Sequence, residues 1–222
     1  MICISIGEKT VAGCLEALKG AELAEIRLDM LDKEELTSDN VKKIFSSGGK
    51  LIATCRAGDI SDDERLELLG GAIDAGAVYV DVEVEAKDDY KKNLVDKARA
   101  KGCKVIVSYH DHRRTPPTEE MKQIIGWCFE SGADIAKIAC MVRSDGDNAR
   151  LLGLLGSERK LIVVGMGPKG SITRIVAPLL GSQFTFASAG EGKETAEGQL
   201  DKEKLAHALD ALREAIGGKE DD

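Results

Sequence analysis

Lys137 is a cation within a mostly apolar stretch, residues 133–140, which reads Ala-Asp-Ile-Ala-Lys-Ile-Ala-Cys. Lysine is rarely buried without a partner, and burial disfavours its charged form, so a buried lysine can become an amine nucleophile. The alternative is an ordinary lysine near a strand end whose amino group reaches solvent. The other polar residues of the chain bear on this choice.

Polar residues also end four apolar runs that precede Lys137 along the chain. These residues are Glu25, Arg27, Arg56, Asp81, Glu83, Ser108 and His110. Residues two apart on a strand point to the same face, and a single pair such as Glu25 with Arg27 also fits a purely structural role. Charged groups at the ends of five consecutive runs are more naturally explained by one polar site, because isolated buried charges are costly.

The residue types in this set favour Schiff-base chemistry on a ketone. Lys137 supplies an amine nucleophile, His110 can move protons near neutral pH, and the arginines can bind an anionic substrate. The alternative for His110 is a histidine that only forms a hydrogen bond beside Asp111. His112 and His207 are expected to be ordinary exposed residues.

Two later segments complete the candidate site. The stretch from Gly165 to Arg174 has the glycines of a weak anion-binding motif, and Arg174 could hold a carboxylate with two parallel hydrogen bonds. The polar stretch 191–199 contains Thr195 and Gln199 and could close over a ligand; a mobile surface loop is the alternative.

The elements that must position these residues form a repeating pattern. Short aliphatic runs occur at 2–6, 23–28, 51–55, 78–82, 104–109, 135–140, 161–166 and 184–187. Amphipathic stretches with helical spacing lie between them, at 62–75, 88–100, 118–131 and 145–155, and another follows at 201–216. Eight strand–helix units predict an α/β fold, a (β/α)8 TIM barrel. An open doubly wound sheet is the alternative, but the first strand lacks the glycine-rich dinucleotide fingerprint.

Composition bounds the function class. The chain of 222 residues is expected to form one catalytic barrel domain at 1–217 and a frayed polar tail at 218–222. A net charge of −8 without a long basic cluster argues against nucleic acid, and no apolar run is long enough for a membrane span. The six cysteines contain no Cys-x-x-Cys pair, which predicts a reduced, cytoplasmic protein without structural zinc.

In the order and spacing of its motifs, the chain resembles the type I 3-dehydroquinate dehydratases of the shikimate pathway over nearly its whole length. The motifs are Glu25-Ile-Arg27-Leu-Asp29, Thr54-Cys-Arg56, Tyr79-Val-Asp81-Val-Glu83, Ser108-Tyr-His110-Asp111 with Thr115-Pro116, Asp134-Ile-Ala-Lys137-Ile-Ala, Met166-Gly167, Ser171-Ile-Thr-Arg174, Phe184-Thr-Phe186 and Gly198-Gln199. Each is short, and their combination is specific.

The resemblance implies a lyase that dehydrates 3-dehydroquinate to 3-dehydroshikimate without metal or cofactor. It assigns imine formation to Lys137, general acid/base catalysis to His110 and binding of the substrate carboxylate to Arg174. The remaining substrate-binding residues would be Ser5, Glu25, Arg27, Arg56, Met166, Phe186, Thr195 and Gln199, with Asp81 and Glu83 in support. A homodimer would follow the habit of the family.

Two segments depart from the family pattern. After Arg56 many bacterial members carry a glutamate and glycines, whereas this chain reads Ala-Gly-Asp-Ile-Ser, so the carboxylate contributed by this loop is open. The closing loop usually reads Ser-Ala-Pro-Gly-Gln and here reads Thr-Ala-Glu-Gly-Gln at 195–199. Thr195 can keep the hydroxyl contact, while loss of the proline loosens the loop.

Two other functions fit the same residues. A class I aldolase-like lyase uses the same lysine chemistry, although its substrates usually carry phosphate and the paired phosphate-binding loops are missing here. A catalytically silent barrel that binds a sugar acid or serves as a scaffold is the second alternative.

Overall fold

A computed structural model describes residues 1–156 and 158–217, so the polar tail expected at 218–222 lies outside the described residues. Strands and helices alternate along this part of the chain. The strands are β1 Ile2–Ile6, β2 Leu23–Arg27, β3 Lys50–Thr54, β4 Tyr79–Glu83, β5 Lys104–Asp111, β6 Ile135–Met141, β7 Leu161–Met166 and β8 Thr185–Ser188. The α-helices are α1 Val11–Ala17, α2 Ser38–Phe45, α3 Asp62–Asp74, α4 Asp88–Lys101, α5 Thr118–Glu130, α6 Asp145–Leu152, α7 Ser171–Val176 and α8 Lys202–Ala215.

The strands form one parallel sheet in the order β7-β6-β5-β4-β3-β2-β1-β8. Between the two outermost strands of this order, the Gln183 amide donates to the Leu161 carbonyl at 2.9 Å, which nearly closes the barrel. The predicted single-domain (β/α)8 barrel is confirmed, and the open doubly wound sheet is wrong.

Strand parity determines which residues face the barrel interior. An inner cluster of buried side chains includes Ile52, Ile106, Ile135, Ile162 and Phe184, whereas their sequence neighbours pack outward against the helices. Because side chains alternate along a strand, Lys137 shares the interior face of β6 with Ile135. In the register of the sheet, Lys137 lies opposite Ser108 on one side and Ile162 on the other.

Helix ends follow local sequence signals. Ser61 and Glu64 form a reciprocal capping box at the start of α3, and Gly102, with φ of +70°, ends α4 in the left-handed conformation. The helix expected over 145–155 is shorter: α6 ends at Leu152, and Gly153–Gly156 forms a 3₁₀ turn. Gly153 has low helix propensity and allows the change of geometry.

No helix within residues 1–156 and 158–217 is both long and apolar enough to cross a membrane. All six cysteines are buried, and none forms a disulfide with another described cysteine.

Candidate active site

A cavity of ≈ 430 Å³ opens at the carboxyl ends of the strands, the end at which catalytic groups gather in such barrels. Nearly all site residues predicted from sequence line it: Ser5, Glu25, Arg27, Arg56, Glu83, His110, Lys137, Met166, Arg174, Phe186, Thr195 and Gln199. Asp81 is buried and forms ion pairs with Arg56 and Lys137. The structure therefore brings the predicted set together.

A larger groove of ≈ 930 Å³ lies outside the barrel between α4 and α5. Its walls carry surface side chains such as Lys92, Arg99 and Glu130, together with Trp127, which is about half exposed. The predicted site residues do not line this groove, so its greater volume does not mark the chemistry of this chain.

Lys137 is only 5% exposed, so the interpretation of an ordinary lysine that reaches solvent is wrong. Its Nζ lies 3.2 Å from Asp81 Oδ2 and 3.5 Å from Glu25 Oε1. The same nitrogen lies 4.4 Å from the centroid of the Phe186 ring, within the range of a cation–π contact. The lysine is therefore buried with two carboxylates and an aromatic ring as its partners.

Two carboxylates beside Lys137 are held in the anionic form. Burial alone would raise the pKa of Glu25 and of Asp81, but the positive charges of Lys137 and Arg56 lower both below their ordinary values. Glu25 also accepts hydrogen bonds from Ser5 Oγ at 2.6 Å and from Thr54 Oγ1 at 3.0 Å. These bonds fix the carboxylates as counter-ions for a cation at the Lys137 nitrogen.

The two site arginines, Arg27 at the end of β2 and Arg56 just after β3, have separate anionic partners. Arg27 binds both carboxylate oxygens of Asp29, at 3.0 and 2.6 Å, and not Glu25 as the structural interpretation of that pair would require. Arg56 donates to Asp81 Oδ1 at 2.7 Å and to Ser108 Oγ at 3.0 Å. Both guanidinium groups line the cavity with their charge already paired.

His110 is partly exposed to the cavity, and its ring stacks against that of His112 at a centroid distance of 6.3 Å. Burial, and then the charges of Arg56 and Lys137, lower the pKa of His110 well below its ordinary value. The neighbouring Asp111 instead accepts backbone bonds from Arg113 and Arg114, so it holds the turn that follows β5. His110 is therefore a neutral imidazole at neutral pH, able to accept a proton.

Replacing His110 with glutamine should remove an acid-sensitive component of stability. The pKa of His110 is lower in the folded chain than in the unfolded chain, so below about pH 6.5 only the unfolded chain binds this proton, and the free energy of unfolding falls as pH falls. The limiting slope is about 1.4 kcal/mol per pH unit. Urea denaturation between about pH 7.5 and pH 5 measures it in wild type and in His110→Gln.

The matched control for this experiment is His207→Gln, because His207 is exposed on α8. This variant should keep the wild-type slope. Equal slopes in wild type and His110→Gln would contradict the lowered pKa of His110.

Arg174 is 1% exposed, and its guanidinium has no anionic partner among residues 1–156 and 158–217. One nitrogen donates to the Phe186 carbonyl at 3.3 Å, while Nε and Nη2 have no hydrogen-bond partner among the described residues. Burial lowers the pKa of this group to about 10. A buried cation with two unused donors at a cavity wall matches a ligand carboxylate.

Close backbone contact between β7 and α7 places Arg174. A Cβ atom added to Gly170 would lie 2.4 Å from the Gly165 carbonyl carbon, so only glycine allows this approach. Thr173 Oγ1 accepts a hydrogen bond from the Gly165 amide at 2.7 Å and donates to the Gly170 carbonyl at 2.8 Å. The glycines predicted as an anion motif thus serve to pack the short helix against its strand.

The segment between β8 and α8 lies over the cavity and is bonded to it. Thr195 Oγ1 donates to Ser5 Oγ at 2.7 Å, and Ser5 Oγ donates to Glu25, so three side chains link the loop to the partner of Lys137. The Gly167 amide donates to the Glu197 carbonyl at 3.1 Å, which ties the loop to β7. The Thr195 hydroxyl therefore contacts Ser5, and its contact with a ligand stays a prediction.

The loop after Arg56 brings no acidic side chain into the cavity. Asp59 is exposed and lines a separate surface groove with Asp29 and Glu64. The acidic side chains added to the cavity wall are instead Glu85, after β4, and Glu197, in the closing loop.

Sequence reasoning missed several residues of the cavity wall. His112 is exposed as expected, but it also lines the cavity, and its position two residues after His110, just past the end of β5, was the available signal. The other unpredicted members are Ala57, Glu85, Ala139, Val164, Ala196 and Glu197.

Within residues 1–156 and 158–217, no group of three or more His, Cys, Asp or Glu side chains is arranged to hold a metal ion.

The family model described as type I 3-dehydroquinase matches residues 2–216. A 3-dehydroquinate dehydratase of Methanococcus maripaludis strain C6 is 36% identical over 223 residues, which cover 96% of this chain and 100% of that protein. A 3-dehydroquinate dehydratase of Methanocaldococcus jannaschii is 35% identical and covers 92% of this chain and 96% of its own length.

Solved structures of 3-dehydroquinate dehydratases are also similar to this chain. The type I 3-dehydroquinate dehydratase of Clostridium difficile, solved with covalent modified comenic acid, has a TM-score of 0.85 and 28% identity over 97% of this chain and 92% of that one. A 3-hexulose-6-phosphate synthase has a TM-score of 0.60 at 16% identity, covering 95% of this chain and 98% of its own, and shows only the shared barrel.

Proposed function

The chain belongs to the type I 3-dehydroquinase family, and from this premise we propose that it dehydrates 3-dehydroquinate to 3-dehydroshikimate through an imine on Lys137. The observation that carries the proposal is that one cavity is lined by a buried, partnered lysine and by a buried arginine for which the described part of the chain offers no anionic partner. An amine nucleophile and an anion-binding cation are what a keto acid substrate requires.

Imine formation begins when Lys137 loses a proton and its nitrogen attacks the C3 ketone. We assign removal of that proton to His110, which is neutral and lines the same cavity. His110 returns this proton to the carbinolamine hydroxyl, which leaves as water and gives an iminium whose positive charge lies at the lysine nitrogen. Glu25 and Asp81, at 3.5 and 3.2 Å from that nitrogen, then stabilise the iminium electrostatically.

The iminium accepts the electrons that elimination releases. His110 removes the proton at C2, the C2–H electrons form the enamine, and the enamine expels the C1 hydroxyl as water with the proton that His110 returns. Water then attacks the conjugated iminium, which frees 3-dehydroshikimate and the Lys137 amine. Protons and electrons balance without an added oxidant, reductant or cofactor, because the lysine supplies the electron sink.

Binding of the substrate uses the remaining groups of the wall. Arg174 would hold the carboxylate through Nε and Nη2, the two donors without a partner among the described residues. Glu25, Arg27 and Arg56 would bind hydroxyls or orient Lys137 and His110, and the closing loop would add Thr195 and Gln199. Met166 and Phe186 would line the apolar side of the ring.

One ultraviolet assay tests the activity, and one trapping experiment tests the mechanism. With 3-dehydroquinate, absorbance from the conjugated enone of the product should rise, and borohydride added with substrate should leave a covalent adduct on Lys137, located by peptide mass spectrometry. Turnover with no adduct would reject the imine and leave the dehydratase in place.

The same assay addresses the alternatives left open by the residues. An aldolase-like lyase would give no enone and would be inhibited by inorganic phosphate, and a silent barrel would bind the substrate without any spectral change. Sequence relatives are named as dehydratases, which favours the enone. The homodimer and the cytoplasmic location stay predictions.

A further inference from the structure

Arg65 lies on α3, outside the barrel, yet only 2% of it is exposed. Its guanidinium reaches the carboxyl ends of two strands. Nε donates to the Cys55 carbonyl at 2.9 Å, directly before Arg56, and Nη2 donates to Glu83 Oε2 at 2.6 Å. The central carbon of the group lies 5.1 Å from the centroid of the Tyr90 ring, within the range of a cation–π contact.

Arg56 lies between the carboxylates of Asp81 and Glu83, and Arg65 is the closer partner of Glu83. Arg56 Nη1 is 2.7 Å from Asp81 Oδ1 but 3.9 Å from Glu83 Oε1. Glu83 is bonded instead to Arg65 and, through Oε1, to the Ala57 amide at 3.2 Å. Arg56 is therefore free to neutralise Asp81.

The charges of this cluster are matched when Arg65 is counted. Glu83 pairs with Arg65, and Asp81 pairs with Arg56 through Oδ1. Lys137 is left with Glu25 and with the other carboxylate oxygen of Asp81. Without Arg65, the carboxylates of Glu25, Asp81 and Glu83 would share two cations. The unmatched negative charge would then stabilise the ammonium form of Lys137, whereas attack on a ketone needs the neutral amine.

We infer that Arg65 is a positioning residue for imine formation, which holds Glu83 so that Arg56 stays on Asp81 and Lys137 can release its proton. The inference rests on the imine mechanism proposed above. It extends the machinery to a helix residue that does not line the cavity.

The test compares single-turnover rates of borohydride-trapped imine in three variants. Arg65→Met should lower the trapping rate at least tenfold, the change expected for a coupling of about 1.4 kcal/mol in a charged network. Arg65→Met with Glu83→Gln removes the unmatched carboxylate, and it should recover most of the lost rate. Arg65→Lys keeps the charge and should trap at a rate within about threefold of wild type.

Stability provides the second readout. Every Arg65 variant loses the bond to the Cys55 carbonyl, so the free energy of unfolding should fall in all of them, whether or not trapping recovers. A double variant as slow as Arg65→Met, or a tenfold loss in Arg65→Lys, would show that Arg65 only supports the fold and would overturn the inference. If Arg65→Met does not fold, the lysine variant decides alone.

The two proposals fail in distinguishable ways. Absence of an adduct in the wild type would reject the imine and this inference with it. An adduct that forms at the wild-type rate in Arg65→Met would reject the role of Arg65 and leave the imine intact.

Discussion

Replacing Lys137 with methionine should abolish both turnover and covalent capture of the substrate. Methionine keeps the length and apolar stem of the side chain but supplies no nucleophile, so we expect kcat to fall at least about 10⁴-fold. The change also leaves Glu25 and Asp81 without the cation at 3.5 and 3.2 Å. Breaking a buried ion pair costs about 3 kcal/mol or more, so the free energy of unfolding should fall as well.

The matched contrast to this variant is His110→Ala. It keeps the amine and its carboxylate partners, so borohydride should still trap some adduct while enone formation is lost. Stopped-flow absorbance and peptide mass spectrometry on the two variants separate attack by the amine from proton transfer. Enone formation near the wild-type rate in Lys137→Met, in a folded sample, would remove the lysine from the mechanism.

Much of the site could be predicted because strand parity is a local property. Once β6 is recognised, alternation places Lys137 on the same face as Ile135, and the parallel arrangement brings the polar ends of neighbouring strands to one mouth. Ser108 and Lys137 are adjacent in the register of the sheet for this reason. The polar residues at the strand ends could therefore be grouped without any knowledge of the loops, whereas Ser5, Met166 and Phe186 were expected only from the resemblance to the family.

Contacts that cross the fold could not be predicted in the same way. Arg65 belongs to a helical pattern and its sequence position indicates only a surface residue, but α3 turns it toward Glu83, eighteen positions along the chain. The outward position of Asp59 and the link from Thr195 to Ser5 likewise depend on how loops settle on the barrel. Loop conformation follows from tertiary packing, which periodicity does not encode.

The partner of each charged side chain could not be predicted from the sequence either. Glu25 and Arg27 share a strand face, yet each prefers another partner, because Asp29 offers Arg27 two parallel hydrogen bonds. Glu25 is left to Lys137. The pairing of Glu25 with Lys137 therefore depends on side-chain geometry and not on the spacing of residues in the sequence.

Replacing Arg174 with methionine should weaken substrate binding while it stabilises the free protein. Among the residues that the structure describes, the buried guanidinium has no anionic partner and two of its donors have no acceptor. A side chain of similar length without charge should therefore raise the free energy of unfolding by about 1–2 kcal/mol. Loss of the clamp on the substrate carboxylate should raise KM at least about 30-fold, or about 2 kcal/mol, with a smaller change in kcat.

Opposite signs in stability and binding distinguish this role from a structural one. Arg27→Met is the matched control. Loss of the Arg27 guanidinium leaves the Asp29 carboxylate without its two hydrogen bonds from that group, so we expect this variant to be less stable than wild type. Thermal denaturation with and without 3-dehydroshikimate adds a binding readout, because a ligand that binds only the folded state raises the melting temperature. Wild type should be stabilised and Arg174→Met should not be. A less stable Arg174→Met with unchanged KM would mean that the guanidinium supports the α7 packing and leaves the carboxylate to another cation.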